Sequence, residues 1–128
     1  MTMLTTVAPQ AGPAPDVGER HLLIVDDEAD ILKALRRQFR RHYTIHIANN
    51  AAEGYEIMTQ LPIQVIISDQ RMPGMSGVEF FDRAKHEFPD AIRLLLTGYA
   101  DIQSVIAAIN DGNVFRYIAK PWDPEEIE

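Results

Sequence analysis

Five polar side chains each come just after a short apolar run. In chain order they are Asp26, Asp27, Asp69, Thr97 and Lys120. Carboxylates that lie close together repel each other unless a cation lies between them. Oxygen ligands in a chain without cysteine favour a hard ion, and Mg²⁺ typically keeps waters and leaves room for a phosphate group. If these side chains meet, they indicate a Mg²⁺ site that can take a phosphoryl group.

The elements that must position these side chains alternate along the chain. Apolar runs typical of buried strands occupy residues 22–25, 44–48, 63–68, 92–96 and 114–118. Helical spacing lies between them, with one apolar stripe made by Ile31, Leu32, Leu35 and Phe39 and another by Ile102, Val105, Ile106 and Ile109. Weaker helical patterns cover residues 51–58 and 78–88.

Alternation of strand and helix predicts an α/β fold, because each right-handed crossover returns a helix to a parallel sheet. We predict a doubly wound five-stranded sheet in the flavodoxin-like order 2-1-3-4-5. Such sheets bind ligands beyond the carboxyl ends of their strands, where the strand order reverses. The polar side chains would therefore converge on that edge.

Two terminal segments are expected to differ from this pattern. Residues 1–20 contain three prolines and no apolar period, which predicts a disordered leader before a single domain at 21–128. Residues 123–126 read Asp-Pro-Glu-Glu, the composition of a helix start, yet the chain stops at Glu128. We expect a truncated last helix and an output domain downstream, with an unusually short native end as the alternative.

Composition excludes several classes of function. The formal net charge of -7 opposes direct, sequence-independent binding to nucleic acid. The absence of cysteine excludes disulfides, thiolate metal sites and a catalytic thiol. No signal peptide and no run long enough to span a membrane are present, which predicts a cytoplasmic protein.

Each polar residue also has an ordinary structural explanation when it is taken alone. An aspartate after a strand is often a helix cap or a turn residue, Thr97 before Gly98 can cap a turn, and Lys120 can be a surface lysine. Their joint position at one sheet edge favours the chemical interpretation.

Four segments resemble the motifs of response regulator receiver domains. They are LLIVDDE at 22–28, SDQRMPGMSG at 68–77, LLLTGYAD at 94–101 and YIAKPW at 117–122. The resemblance implies that Asp69 accepts a phosphoryl group from the phosphohistidine of a histidine kinase. It further implies that Lys120 pairs with Asp69 and then with the phosphoryl group, that Thr97 donates its hydroxyl to it, and that Tyr117 is the coupled aromatic switch.

The same resemblance implies the metal ligands. Asp27 and Asp69 would bind Mg²⁺ through their carboxylates, Arg71 through its backbone carbonyl, and Asp26 mainly through bound water. The Lys120-Pro121 bond is expected to be cis. Large side chains at Arg71 and Tyr99 would obstruct the water that hydrolyses the phosphoryl group, unless both simply point into solvent.

Partners also follow from the resemblance. The donor would be a histidine kinase or a phosphotransfer protein, and a homodimer would form through the face of helix 4, strand 5 and helix 5. The segments DQRMPGMSGVEF and FRYIAKPW are similar in sequence to those of receivers joined to HD-GYP phosphodiesterases or to hydrogenase-type transcriptional regulators. Either class could supply the output domain.

Rival interpretations come from other classes. A flavin- or dinucleotide-binding protein could share the fold, but the G-x-G-x-x-G and Walker A patterns are both absent. A phosphatase with an aspartyl nucleophile at Asp27 would need a second carboxylate two residues later, where Ala29 stands. A pseudo-receiver, which acts only by binding partners, would be expected to lack one of the site residues.

Two further sets of residues, one basic run and the four histidines, are interpreted as structural features of the surface. The basic run of the first helix, made by Lys33, Arg36, Arg37, Arg40 and Arg41, is expected to be a solvated face, with a docking surface for the kinase as the alternative. The four histidines lie on different elements without ligand spacing, and surface or partly buried positions are expected for them.

Overall fold

The computed structural model describes residues 20–98, 101–112 and 114–120. The strands are β1 (His21–Val25), β2 (Thr44–Ala48), β3 (Val65–Asp69), β4 (Ile92–Thr97) and β5 (Arg116–Ala119), and the helices between them are α1 (Ala29–Phe39), α2 (Ala51–Gln60), α3 (Gly77–Glu87) and α4 (Ile102–Asn110). Residues 1–19 of the predicted leader at 1–20, the Lys120-Pro121 bond and the expected start of a last helix lie outside the described residues. Arg20, which was assigned to the leader, accepts a hydrogen bond from the Thr44 amide at 2.7 Å.

All five strands form one parallel sheet in the order β2-β1-β3-β4-β5. The predicted fold class and strand order are confirmed. Strands β3 and β5 begin two residues later than their apolar runs, at Val65 and Arg116. A strand begins where its backbone is hydrogen-bonded to a neighbouring strand, and a residue can be apolar without that pairing. The apolar pattern therefore predicts the first residue of a strand less accurately than it predicts the strand itself.

The two faces of the sheet are covered differently. Helices α2, α3 and α4 pack on one face, where Leu23, Val25, Phe80, Phe81 and Val105 are fully or almost fully buried. Helix α1 packs on the other face, against Leu22, Ile24 and Ile67. The α1 face also has a cavity of about 450 Å³ bounded by β4 and β5, where Phe115 and Ile92 remain exposed.

Local sequence explains where the helices begin. Helix α2 is capped by Asn50, whose side chain accepts a hydrogen bond from the Glu53 amide. Helix α3 has a capping box, in which Ser76 and Glu79 each bond the other's backbone. These caps mark the ends of the loops that follow β2 and β3 and thereby help to position both loops at the carboxyl edge of the sheet. Within the described ranges, no helix has the length and apolar character needed to cross a membrane.

Candidate functional site

The carboxyl edge of the sheet brings the predicted polar residues together. Asp26 and Asp27 directly follow β1, Asp69 ends β3, Thr97 ends β4, and Lys120 directly follows β5. Strands β1, β3, β4 and β5 are consecutive neighbours, so side chains almost a hundred residues apart in sequence meet at one edge.

The three carboxylates form a tight cluster. Asp26, Asp27 and Asp69 each offer an oxygen that lies within 4.8 Å of the others. Asp26 and Asp69 are buried, whereas Asp27 is exposed and opens the cluster to solvent. One open side and two buried sides suit an ion that exchanges with solvent and keeps some of its waters.

Asp26 is the most constrained of these carboxylates. Its Oδ1 accepts a hydrogen bond from the Glu28 amide at 2.9 Å, while its buried Oδ2 has no hydrogen-bond partner among the described residues. Burial raises the pKa of Asp26 to about 6, and the neighbouring charge of Asp69 adds to this effect. A buried carboxylate oxygen without a donor is a good acceptor for a cation or for a water bound to one, so the cluster fits a hard divalent ion.

Asp69 is paired with Lys120, whose Nζ lies 2.6 Å from Asp69 Oδ1. Burial raises the pKa of Asp69 more than the lysine lowers it. Burial lowers the pKa of Lys120, but the hydrogen bond to Asp69 and the surrounding carboxylates outweigh it, so that pKa is also raised. The two pKa values thus rise for different reasons: burial dominates for Asp69, whereas the surrounding carboxylates dominate for Lys120.

Thr97 ends β4, the strand next to β3, and Tyr117 lies on β5, the edge strand next to β4. The Thr97 side chain is fully buried, and its hydroxyl donates to the Gly98 carbonyl at 3.2 Å. Tyr117 is half-buried on β5, in register with Leu95, and packs against the core under α3 and α4. Their proposed roles in binding and switching remain predictions.

The loop from β3 to α3 is held against the strand by contacts that the sequence analysis missed. The Gly77 amide donates to the Gln70 carbonyl at 2.9 Å, and the Val78 amide donates to the Gln70 side chain at 2.9 Å. A Cβ at Gly77 would lie 2.5 Å from the Asp69 carbonyl oxygen and 2.6 Å from Leu95 Cδ1. The serine-x-x-glutamate pattern at 76–79 signalled the helix start, but nothing in it indicated the close approach of Gly77.

The Arg71 side chain has a partner that the sequence analysis did not identify. Its guanidinium binds both carboxylate oxygens of Asp101, with distances of 2.7 Å from Nε and 3.1 Å from Nη2. The side chain is 75% exposed, so it lies in solvent, as the alternative interpretation expected, while it is paired with Asp101; whether it obstructs the hydrolysing water stays a prediction. Tyr99, the other residue expected to shield the site, lies outside the described residues.

The basic run lies at the surface, which fits both the solvated face and the alternative of a docking surface. Lys33, Arg36, Arg37, Arg40 and Arg41 are all exposed. The histidines are surface or partly buried as expected, but His21 and His46 also meet on the neighbouring strands β1 and β2. The Nδ1 of His21 lies 2.9 Å from the Nε2 of His46, and the two rings stack.

Comparison with known proteins identifies the family. The model of the response regulator receiver domain matches residues 22–128, and the chain belongs to this family of two-component signalling domains. The hydrogenase transcriptional regulatory protein HoxA of Cupriavidus necator is 36% identical over 106 residues, which is 83% of this chain and 22% of HoxA. The chain thus spans less than a quarter of HoxA. The predicted similarity to hydrogenase-type regulators is confirmed.

Solved structures agree with this assignment. The signal receiver domain of an HD domain-containing protein from Pseudomonas fluorescens Pf-5 has a TM-score of 0.79 and 32% identity, and the match covers 85% of this chain and 81% of that one. A response regulator from Burkholderia pseudomallei, solved with a phosphorylated aspartic acid, a calcium ion and citrate, has a TM-score of 0.75 and 31% identity. That match covers 84% of this chain and 64% of the other.

Proposed function

We propose that this receiver domain takes a phosphoryl group onto Asp69 from the phosphohistidine of a histidine kinase or a phosphotransfer protein. The observation that carries the proposal is the pairing of Asp69 with Lys120 at 2.6 Å, beside two further carboxylates and a buried threonine hydroxyl. This set joins a carboxylate nucleophile to groups that neutralise the oxygens of a phosphoryl group.

The transfer needs little covalent chemistry from the protein. A carboxylate oxygen of Asp69 attacks phosphorus, the N–P bond of the phosphohistidine breaks, and the departing imidazole keeps the bond's electron pair and takes up a proton. Lys120 then pairs with an oxygen of the transferred group, and the Thr97 hydroxyl turns from the Gly98 carbonyl to donate to another.

A Mg²⁺ ion, when bound, would neutralise charge between the carboxylates and the incoming phosphoryl group. We propose that Asp27 and Asp69 hold it through their carboxylates, Arg71 through its backbone carbonyl, and Asp26 mainly through water. The unpartnered oxygen of Asp26 supports this assignment.

The complete site also bears on the alternative of a pseudo-receiver. The acidic pair, Asp69, Thr97 and Lys120 are all present at the sheet edge, and nothing about their geometry suggests a function limited to partner binding. We therefore favour phosphorylation as the input. Tyr117 would follow Thr97 and alter the face of α4 and β5, through which we propose that the domain pairs with a second copy or controls an output domain.

The output that this receiver controls is proposed from its relatives. HoxA is a transcriptional regulatory protein, and the Pseudomonas receiver belongs to an HD domain-containing protein. We propose that this receiver likewise controls a transcriptional regulator or an HD-GYP phosphodiesterase encoded in the same polypeptide.

Replacing Asp69 by asparagine tests the proposal, because an amide is a poor nucleophile. The protein is incubated with acetyl phosphate and Mg²⁺, and its intact mass is measured. We expect the wild-type protein to gain the mass of one phosphoryl group and Asp69→Asn to gain none. Asp82→Asn, which neutralises an exposed carboxylate on α3, is the matched control and should be phosphorylated normally. Lack of uptake by the wild-type protein would favour the pseudo-receiver, and uptake by Asp69→Asn would refute the assignment of the acceptor.

A further inference from the structure

The carboxylate of Asp101 stands at the start of α4 without capping it. Asp101 occupies the N-cap position, yet its side chain makes no hydrogen bond to the first turn, and both of its oxygens are instead bound by Arg71. Asn50 and Ser76, at the same position of α2 and α3, do cap their helices. The chain therefore has a good capping residue at α4 whose side chain is used elsewhere.

The backbone of Asp101 agrees with this difference. Asn50 and Ser76 have the extended conformation that a capping residue adopts, whereas Asp101 has φ -105° and ψ 0°. Capping by Asp101 would require its ψ to rotate toward the extended region.

Arg71 lies where it can exchange one anion for another. It is two residues from Asp69, and it lines one cavity of about 460 Å³ together with Asp27 and Asp101. The pKa of Arg71 is raised above its ordinary value, first by its hydrogen bond to Asp101 and then, in smaller part, by the charge of Asp69. Its high exposure means that few contacts oppose a change of rotamer.

We propose that Arg71 is a switch between two anions: it binds Asp101 in the unphosphorylated domain and turns to the phosphoryl group when Asp69 is phosphorylated, which releases Asp101 to cap α4. This inference rests on the proposed function and adds to it a competition between Asp101 and the phosphoryl group for Arg71. A phosphoryl group carries more negative charge than a single carboxylate and presents several acceptor oxygens to a guanidinium. Capping then stabilises the first turn of α4 only in the phosphorylated state.

Linkage gives the direction of the effect. Because Asp101 competes with the phosphoryl group for Arg71, removing its charge should strengthen binding of a phosphoryl mimic, and this gain should vanish when Arg71 is absent. A general loss of negative charge near the site would strengthen binding whether Arg71 is present or not. A double-mutant cycle separates the two explanations.

The test uses beryllium fluoride with Mg²⁺ as the phosphoryl mimic and measures its binding by calorimetry. We expect Asp101→Asn to bind it about two to five times more tightly than the wild-type protein, the size of effect that an exposed ion pair can produce. Arg71→Gln, which keeps the backbone carbonyl, should bind more weakly, and adding Asp101→Asn to it should change nothing further. Equal tightening by Asp101→Asn in both backgrounds would overturn the switch.

Amide hydrogen exchange supplies a second measurement at the Gln103 and Ser104 backbone N–H groups, which a cap at Asp101 would protect. In the wild-type protein, exchange should slow when the mimic binds. In Asp101→Asn it should be slow already, because asparagine can cap without pairing with Arg71, and in Asp101→Ala it should stay fast. If the mimic leaves the exchange rates of these amides unchanged in the wild-type protein, the proposal that Asp101 is released to cap α4 is wrong.

The outcomes for the two proposals are distinguishable. If the wild-type protein and Asp69→Asn both fail to bind the mimic, the proposed function and the switch fall together. If the wild-type protein binds it in a manner that depends on Asp69, while the cycle is additive, only the switch falls. Thermal unfolding of each variant checks that substitutions at these accessible side chains leave the fold intact.

Discussion

Two ion pairs of nearly equal length lie at the same edge of the sheet but in different surroundings. Lys120 and Asp69 are 2.6 Å apart, with side-chain exposures of 26% and 6%, whereas Arg71 and Asp101 are 2.7 Å apart, with exposures of 75% and 21%. Distance alone would rank them as equals. Solvent screening makes them different, because charges in water gain little from pairing while a buried carboxylate depends on its partner.

This difference suits two separate tasks. The buried pair sets the charge of Asp69, the proposed phosphoryl acceptor, and holds it at the end of β3. The accessible pair links the loop after β3 to the start of α4 and can be exchanged for another contact at small cost. Stability should therefore depend on the first pair, and signalling should respond to the second.

The largest expected effect comes from Gly77, which holds the loop that carries Arg71 close to the strand end that carries Asp69. Gly77→Ala should destabilise the domain by about 3 kcal/mol, because the new methyl group would overlap a backbone carbonyl that cannot move freely. Gly98→Ala is the matched control, since among the described residues no contact within 4 Å is found for its added Cβ and its φ is outside the left-handed region. Urea denaturation measures both, and equal stability of the two variants would contradict the close packing described here.

The sequence was sufficient to predict most of the fold. The alternation of apolar runs with helical stripes predicted five strands in the observed order, because crossover handedness leaves few other arrangements. It also predicted that Asp26, Asp69 and Lys120 would meet, since strand ends in a parallel sheet share one edge. What these residues do in the cell stays a prediction.

Contacts between loops and between adjacent strands could not be predicted in this way. The pairing of Arg71 with Asp101 joins two loops, and no period relates residues in separate loops. The contact between His21 and His46 depends on the register of β1 with β2, which the apolar pattern alone does not specify. Such contacts follow from tertiary geometry, and they are where the structure adds most to the sequence.

Removing one cation from each ion pair tests the difference between them directly. Lys120→Met should destabilise the domain by about 2 kcal/mol near neutral pH, because it leaves the buried Asp69 carboxylate without its partner beside two other carboxylates. Arg71→Met should leave the unfolding transition almost unchanged, since water replaces its contact with Asp101. Urea denaturation in EDTA measures the free energy of unfolding of each variant. Losses of similar size would show that burial does not distinguish the two pairs.

The smallest expected change is a gain in stability from Asp26→Asn. Asparagine can still accept the hydrogen bond from the Glu28 amide, but it carries no charge into the buried position. Near pH 7, with metal removed, the variant should be more stable than the wild-type protein by about 1 to 2 kcal/mol. This is a part of the free energy to which the shift in the Asp26 pKa corresponds.

The pH dependence of this gain follows from the pKa of about 6 that Asp26 has in the fold, against 3.8 as its ordinary value. Between these two values the folded protein binds more protons than the unfolded chain, so wild-type stability falls as pH rises through this window. The advantage of Asp26→Asn should therefore be near zero at about pH 4, grow through the window and level off above about pH 6. Mg²⁺ should reduce it at neutral pH, because an ion bound beside three carboxylates stabilises the wild-type site more than the variant site, which keeps only two. Urea denaturation across this pH range, with EDTA or with Mg²⁺, measures the difference. A constant difference at every pH would mean that the substitution acts through packing, and that burial of the Asp26 charge does not limit the stability of the metal-free domain.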